Sequence, residues 1–108
     1  MLYKPPALQE QPDVIIFKWK VIEATSKNGL VARPLVGTTI FDPGRVSSDI
    51  RSFDQGVFIT ASGRRYQVEG APGSTPDAEY VYQRWCKNHN IVDSWDVTSE
   101  YLNEGGGK

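Results

Sequence analysis

The sequence predicts an α+β domain: a meandering, mostly antiparallel β-sheet of five to seven strands, open or curled toward a barrel, with one α-helix over about residues 76–88. Three observations predict it. An apolar alternation of period two begins at Val14, Gly-containing turn sequences recur between short apolar runs, and a single capped segment after Thr75 shows helical spacing. A chain of 108 residues has room for one hydrophobic core. The reading is therefore an extended Pro-rich arm over 1–13, one domain over 14–102, and a flexible Gly-rich tail over 103–108.

The arm holds Pro5, Pro6 and Pro12, which remove backbone donors and disfavour helix. Its apolar residues Leu2, Tyr3 and Leu8 can pin it to a surface. The first strand covers residues 14–25, with Ile15, Phe17, Trp19 and Val21 on one face and Ile16, Lys18, Lys20 and Ile22 on the other. Asn28-Gly29 is the strongest short hairpin signal and predicts a type I′ turn. A return strand follows over 30–33, and Pro34 marks a strand end or sheet edge.

Residues 35–41 read as a short strand closed by Asp42-Pro43-Gly44. A double hairpin comes next. Residues 48–53 meet 57–61 through a three-residue loop, Asp54-Gln55-Gly56, and 57–61 meet 64–69 through Ser62-Gly63. That register sets Ile59 opposite Tyr66 and Val57 opposite Val68, with Phe58, Thr60, Arg65 and Gln67 on the other face. In the helix, Thr75 caps, Pro76 takes the first position, and Asp77 and Glu79 complement the dipole. Ala78, Val81, Tyr82, Trp85 and His89 form its apolar stripe. A last strand is expected over 91–98. Because both sheet faces carry large apolar residues, both need covering, by curling, by the arm or by another subunit.

Ser48-x-Ile50, then Thr60-x-Ser62-Gly63-x-x-Tyr66-x-Val68, then Gly70-x-Pro72-Gly73 resembles hairpins in small uncharacterised proteins of phages and other bacterial mobile elements. The resemblance covers residues 46–73, about a quarter of the chain. It implies a bacterial or phage setting and no particular activity.

Composition narrows the function classes. The formal net charge is −1 and 23% of residues are charged, which argues against a strongly basic nucleic-acid coat or an acidic tail. No apolar run approaches the ~18 residues of a membrane span, and the first residues lack a signal-peptide pattern. One cysteine allows no internal disulfide, so a reducing, cytoplasmic setting is expected.

No complete catalytic or metal-binding set is legible. Cys86 and His89 are the sole Cys and His and neighbour each other at helical spacing. A structural zinc site wants four such ligands, and a nucleophilic thiolate is disfavoured at a helix C-terminus. A Cys86/His89-dependent enzyme is thus the weakest of the readings. Asp93, Asp96 and Glu100 form the densest carboxylate group, but their spacing matches no calcium loop and suits solvated edge charges. The stretch 70–75 leads into a helix N-terminus with Ser74 where a phosphate loop wants Lys, and reads as a plain connection. No catalytic residue, metal ligand or cofactor is expected.

Two binding readings remain. Lys18, Lys20, Arg64 and Arg65 with Phe58 can make a basic, partly aromatic sheet surface of the kind that binds phosphates and stacks bases. The preferred reading is a non-catalytic module acting on a protein partner, self-association into a homo-oligomer included, since sheets of this kind must hide edges and faces. Trp19, Trp85 and Trp95 are expected in the core; one found outside it becomes an anchor for a partner.

Overall fold

The computed structural model describes residues 14–106, with the side chains of residues 14–102. The arm read at residues 1–13 lies outside the described residues. Among the described residues ten elements follow in order: β1 (Val14–Ser26), β2 (Val31–Ala32), β3 (Leu35–Thr38), β4 (Arg45–Val46), β5 (Ile50–Asp54), β6 (Val57–Thr60), β7 (Arg65–Glu69), α1 (Pro76–Asn88), β8 (Ile91–Asp96) and α2 (Thr98–Gly106). The α+β class holds, with the main helix where its cap and stripe place it. The strand count and closure do not. Eight strands form a mixed sheet of order β4-β3-β1-β7-β6-β5, with β2 and β8 paired to the far half of β1. Curling carries the Ile50 N–H to the Arg33 carbonyl at 2.9 Å, yet β4 and β5 do not pair, so no barrel closes.

β1 organises everything else. Its first residues run parallel to β7, Val14 opposite Tyr66 through Phe17 opposite Glu69, and its last residues run antiparallel to β8. A parallel neighbour departs from the expected meander because the chain crosses from β4 on one side of β1 to β5, and the β5-β6-β7 hairpins then return to the other side of β1. At Lys18 the strand bulges: φ is +49°, and the pairing with β3 shifts between Phe17 and Lys20. One extra residue reverses the alternation. Ile16, Trp19 and Val21 therefore share one buried face with Leu35, Phe58 and Tyr66, while Phe17, Lys20 and Ile22 share the other. The expected face of Ile15, Phe17, Trp19 and Val21 is thus broken in two.

Turn lengths are exchanged relative to expectation. Ser26 N–H donates to the Leu30 carbonyl at 2.8 Å around Lys27-Asn28-Gly29, a three-residue loop with Gly29 at φ +87°. Asp54 pairs with Val57 across Gln55 and Gly56, both at positive φ, which is the two-residue type I′ geometry. The third loop is Ala61-Ser62-Gly63, closed by Thr60 N–H to the Arg64 carbonyl at 3.1 Å. It is one residue longer than Ser62-Gly63 alone, so Phe58 faces Tyr66 and Ile59 faces Arg65. That slip turns Phe58 and Tyr66 inward and leaves Ile59 38% exposed.

Both sheet faces are covered over part of their extent. α1 lays Ala78 and Tyr82 on Ile22 and Val36. The opposite face closes by curling and by α2, which the sequence reading left as strand end and tail; Val97 and Tyr101 pack against its core. The buried Thr98 hydroxyl accepts the Val21 N–H at 2.9 Å and seats the start of that helix. Arg33 ties it down further, donating to Glu23, Glu100 and the Tyr101 hydroxyl, each at 2.9 Å. The Tyr101 hydroxyl first, then Glu23, hold the guanidinium pKa above its ordinary value. Among the described residues no helix is long and apolar enough to cross a membrane.

Candidate functional site

The site grows from the point where β3 leaves β1. After Thr38, which faces Phe17, the chain turns away from the sheet because Thr39 offers it other partners. The Thr39 hydroxyl accepts the Phe41 N–H at 3.1 Å and the Asp42 N–H at 2.9 Å, and Thr39 N–H donates to the Asp42 carbonyl at 2.9 Å. Ile40 and Phe41, expected within a strand, are held out at 75% and 83% exposure. Asp42 anchors the far side of the tip through Arg45 Nη1 at 2.6 Å.

The departure opens a slot of about 390 Å³ lined by Val14, Ile15, Phe17, Thr39, Ile40, Phe41, Arg45 and Arg64. Its walls come from both faces of the sheet. Val14 sits opposite Tyr66 on the core side, and Ile15 and Phe17 sit on the α1 side. The slot therefore opens beside the start of β1, where β3 turns away from it. Among the described residues no strand pairs with Val14–Ile16 on that side. The Lys18 bulge is what aims Ile15 and Phe17 there, ahead of the N-terminal end of α1, where the Thr38 and Thr75 hydroxyls meet at 3.2 Å.

The rim carries Arg64 and Arg45, the latter paired with Asp42. Burial works against the Arg45 charge, but the Tyr66 hydroxyl, 3.1 Å from Nε, and Asp42 outweigh it and hold its pKa above the ordinary value. Compared with known proteins, the chain matches no family model, no curated protein and no solved structure.

The residues expected to make a basic, aromatic surface are dispersed. Phe58 is fully buried, between Trp19 at 5.9 Å and Phe53 at 4.4 Å ring separation. That is a correction: a ring in the core cannot stack a base, and the one-residue register slip put it there. Lys20 pairs with Glu79 on α1 and faces the helix, while Lys18 is exposed at the bulge. Arg64 lines the slot, and Arg65 lies on the sheet face beside Ile59.

The other candidates take structural positions. His89 caps α1 and stacks on Trp85 at 4.6 Å, while half-buried Cys86 packs toward Tyr82 and the sheet. Burial pushes the Tyr82 phenol up to about 12, and its hydroxyl has no hydrogen-bond partner among the described residues. Asp96 accepts the Thr98 N–H at 2.9 Å and Glu100 accepts from Arg33, so the carboxylate group is divided. The 70–75 stretch is a connection, held by Trp19 Nε1 to the Gly70 carbonyl at 3.1 Å and by the Thr75 cap on Ala78. A hollow of about 490 Å³ on α1 is lined, among the described residues, by Tyr80, Gln83, Arg84, Lys87 and Asn88 from one helix face, and offers no apolar enclosure.

Trp19 is buried and Trp85 half-buried, but Trp95 is 59% exposed, correcting the expectation of a core position. It stands on β8 opposite Glu23. Sequence reasoning named Trp95 as an anchor if exposed; it missed Ile40, Phe41 and Ile15. The available signal was Thr39 ahead of Ile-Phe-Asp-Pro-Gly, a side-chain turn acceptor followed by turn residues.

Proposed function

We propose that the protein is a non-catalytic binding module that works through protein–protein contact, including contact between copies of itself. One observation carries this reading: Ile40 and Phe41 are 75% and 83% exposed and are held out by the Thr39 turn beside an apolar slot. Exposing two such side chains forgoes about 1.5–3 kcal/mol of burial apiece. A built turn that keeps them in water is a cost that a partner surface recovers. Trp95 adds a second exposed anchor toward the other end of the same long strand. The hairpin resemblance supports a phage or mobile-element setting and, with it, a bacterial cytoplasm for the proposed module. The nucleic-acid reading has less to stand on, because its aromatic platform is inside the core.

The test is the solution mass of the full chain and of Phe41→Asp at ~100 μM, with thermal unfolding of both. Association that falls in the variant while the unfolding midpoint stays within a degree or two supports the reading. A strictly monomeric parent chain that retrieves no protein from a host lysate overturns it.

A further inference from the structure

We propose that Asn28 is a self-modification site: its side-chain amide cyclises onto the Gly29 nitrogen and opens to aspartate or isoaspartate, at a rate set by opening of the loop between β1 and β2. The inference stands apart from the binding reading above and concerns the other end of β1.

The sequence supplies the reactive pair. Of the four asparagines, Asn28 alone precedes glycine; the others are followed by His89, Ile91 and Glu104, whose side chains crowd the nitrogen that must attack. Asn28 and Gly29 are both exposed. A methyl group at Gly29 would meet nothing within 4 Å, so a succinimide ring has room to form there.

The reaction needs only water. The Gly29 nitrogen gives up its proton and bonds to the Asn28 side-chain carbonyl carbon, which releases its amide nitrogen as ammonia. Water then adds to either ring carbonyl. Attack at the side-chain carbon breaks the new bond and leaves aspartate. Attack at the main-chain carbon leaves isoaspartate, with the chain now running through the side-chain methylene.

The native loop withholds the nucleophile. Gly29 N–H donates to the Ser26 carbonyl at 2.8 Å, which engages the proton that must leave and fixes the nitrogen in the turn. Three further bonds keep the loop shut. Ser26 N–H donates to the Leu30 carbonyl at 2.8 Å, Leu30 N–H to the Ser26 hydroxyl at 3.2 Å, and Lys27 N–H to the Asn90 carbonyl at 2.8 Å. Cyclisation therefore waits for local opening, which an exposed loop undergoes without unfolding the core.

The step is one-way. Isoaspartate adds a backbone carbon between residues 28 and 29, and the Ser26–Leu30 and Ser26–Gly29 bonds both span that point. β2 holds to β1 only through Ala24 opposite Ala32 and Thr25 opposite Val31, so a loop that cannot close again frees that end of the hairpin.

The experiment incubates the full chain at mildly alkaline pH, natively and in guanidinium chloride. The peptide holding residue 28 is followed by its mass gain of about 1 Da and by chromatographic separation of the aspartate and isoaspartate forms. Asn28→Gln, which must form a larger and slower ring, is the blank. Native conversion is expected to yield both products at least about tenfold more slowly than in denaturant. Ser26→Ala removes the hydroxyl that holds Leu30. It is expected to speed native conversion and Gly29 amide exchange in step, with the unfolding midpoint and the rate in denaturant unchanged. Native conversion as fast as in denaturant overturns the gating. So does a native rate that stays put in Ser26→Ala while Gly29 exchange accelerates. No product at residue 28 in denaturant overturns the site itself.

Discussion

The ring of Tyr101 stands edge-on to Phe53, centroids 5.5 Å apart and planes at 82°, so that the final helix closes a sheet face whose other rings come from the double hairpin and from Trp19 on β1. Tyr101 also lies 5.3 Å from Phe58 and accepts from Arg33. Tyr101→Ala is expected to destabilise the domain by about 2–3 kcal/mol, less than the full cost of a wholly buried ring because Tyr101 is half-buried. Tyr101→Phe keeps the ring contacts and removes only the Arg33 bond, costing about 1 kcal/mol. Urea midpoints of the two variants check the order.

Phe58→Ala separates a core ring from a surface platform. With Phe58 fully buried among Trp19, Phe53 and Tyr101, the loss is expected at about 3–5 kcal/mol. A solvent-facing ring would cost within about 0.5 kcal/mol. Equilibrium unfolding decides between these directly.

Thr39→Val keeps the volume of a buried side chain and deletes the hydroxyl that accepts the Phe41 and Asp42 amides. The fold should survive with a loss of about 1–2 kcal/mol. Hydrogen exchange at those two amides should accelerate selectively, while exchange across β6 and β7 stays unchanged.

The Lys20–Glu79 pair joins sheet to helix, and the Lys20 ammonium first, then the Ser74 hydroxyl, hold the Glu79 pKa below its ordinary value. A carboxylate with a lowered folded-state pKa adds stability that is full above the unfolded value of about 4.3 and fades as pH falls through the folded value. Glu79→Gln should therefore remove part of the acid sensitivity below about pH 4.3. Since Glu79 is partly exposed, the neutral-pH cost should stay under about 1 kcal/mol and shrink in high salt. Thermal unfolding against pH, at two ionic strengths, reads both effects.

The sequence by itself determined the class, the single main helix and where most of the short strands fall along the chain. Thr75, Pro76 and the stripe of Ala78, Val81, Tyr82 and Trp85 act within one helix, so their spacing is sufficient to place it. The turns were legible as turns but not by length, because Asn28-Gly29 and Gln55-Gly56 both supply positive φ and only pairing between distant strands chooses the register. That choice decided Phe58: one residue in the Ala61-Ser62-Gly63 loop moves its ring from surface to core. The site lay further from view. Ile15, Phe17, Ile40 and Phe41 read as strand interior because apolar alternation is the same whether a neighbour is present or absent. Their exposure depends on a bulge at Lys18 and on Thr39 taking the chain away from β1, and both are settled by competition among backbone hydrogen bonds in three dimensions. Local side-chain spacing carries no record of which strands become neighbours. Tertiary structure supplied that.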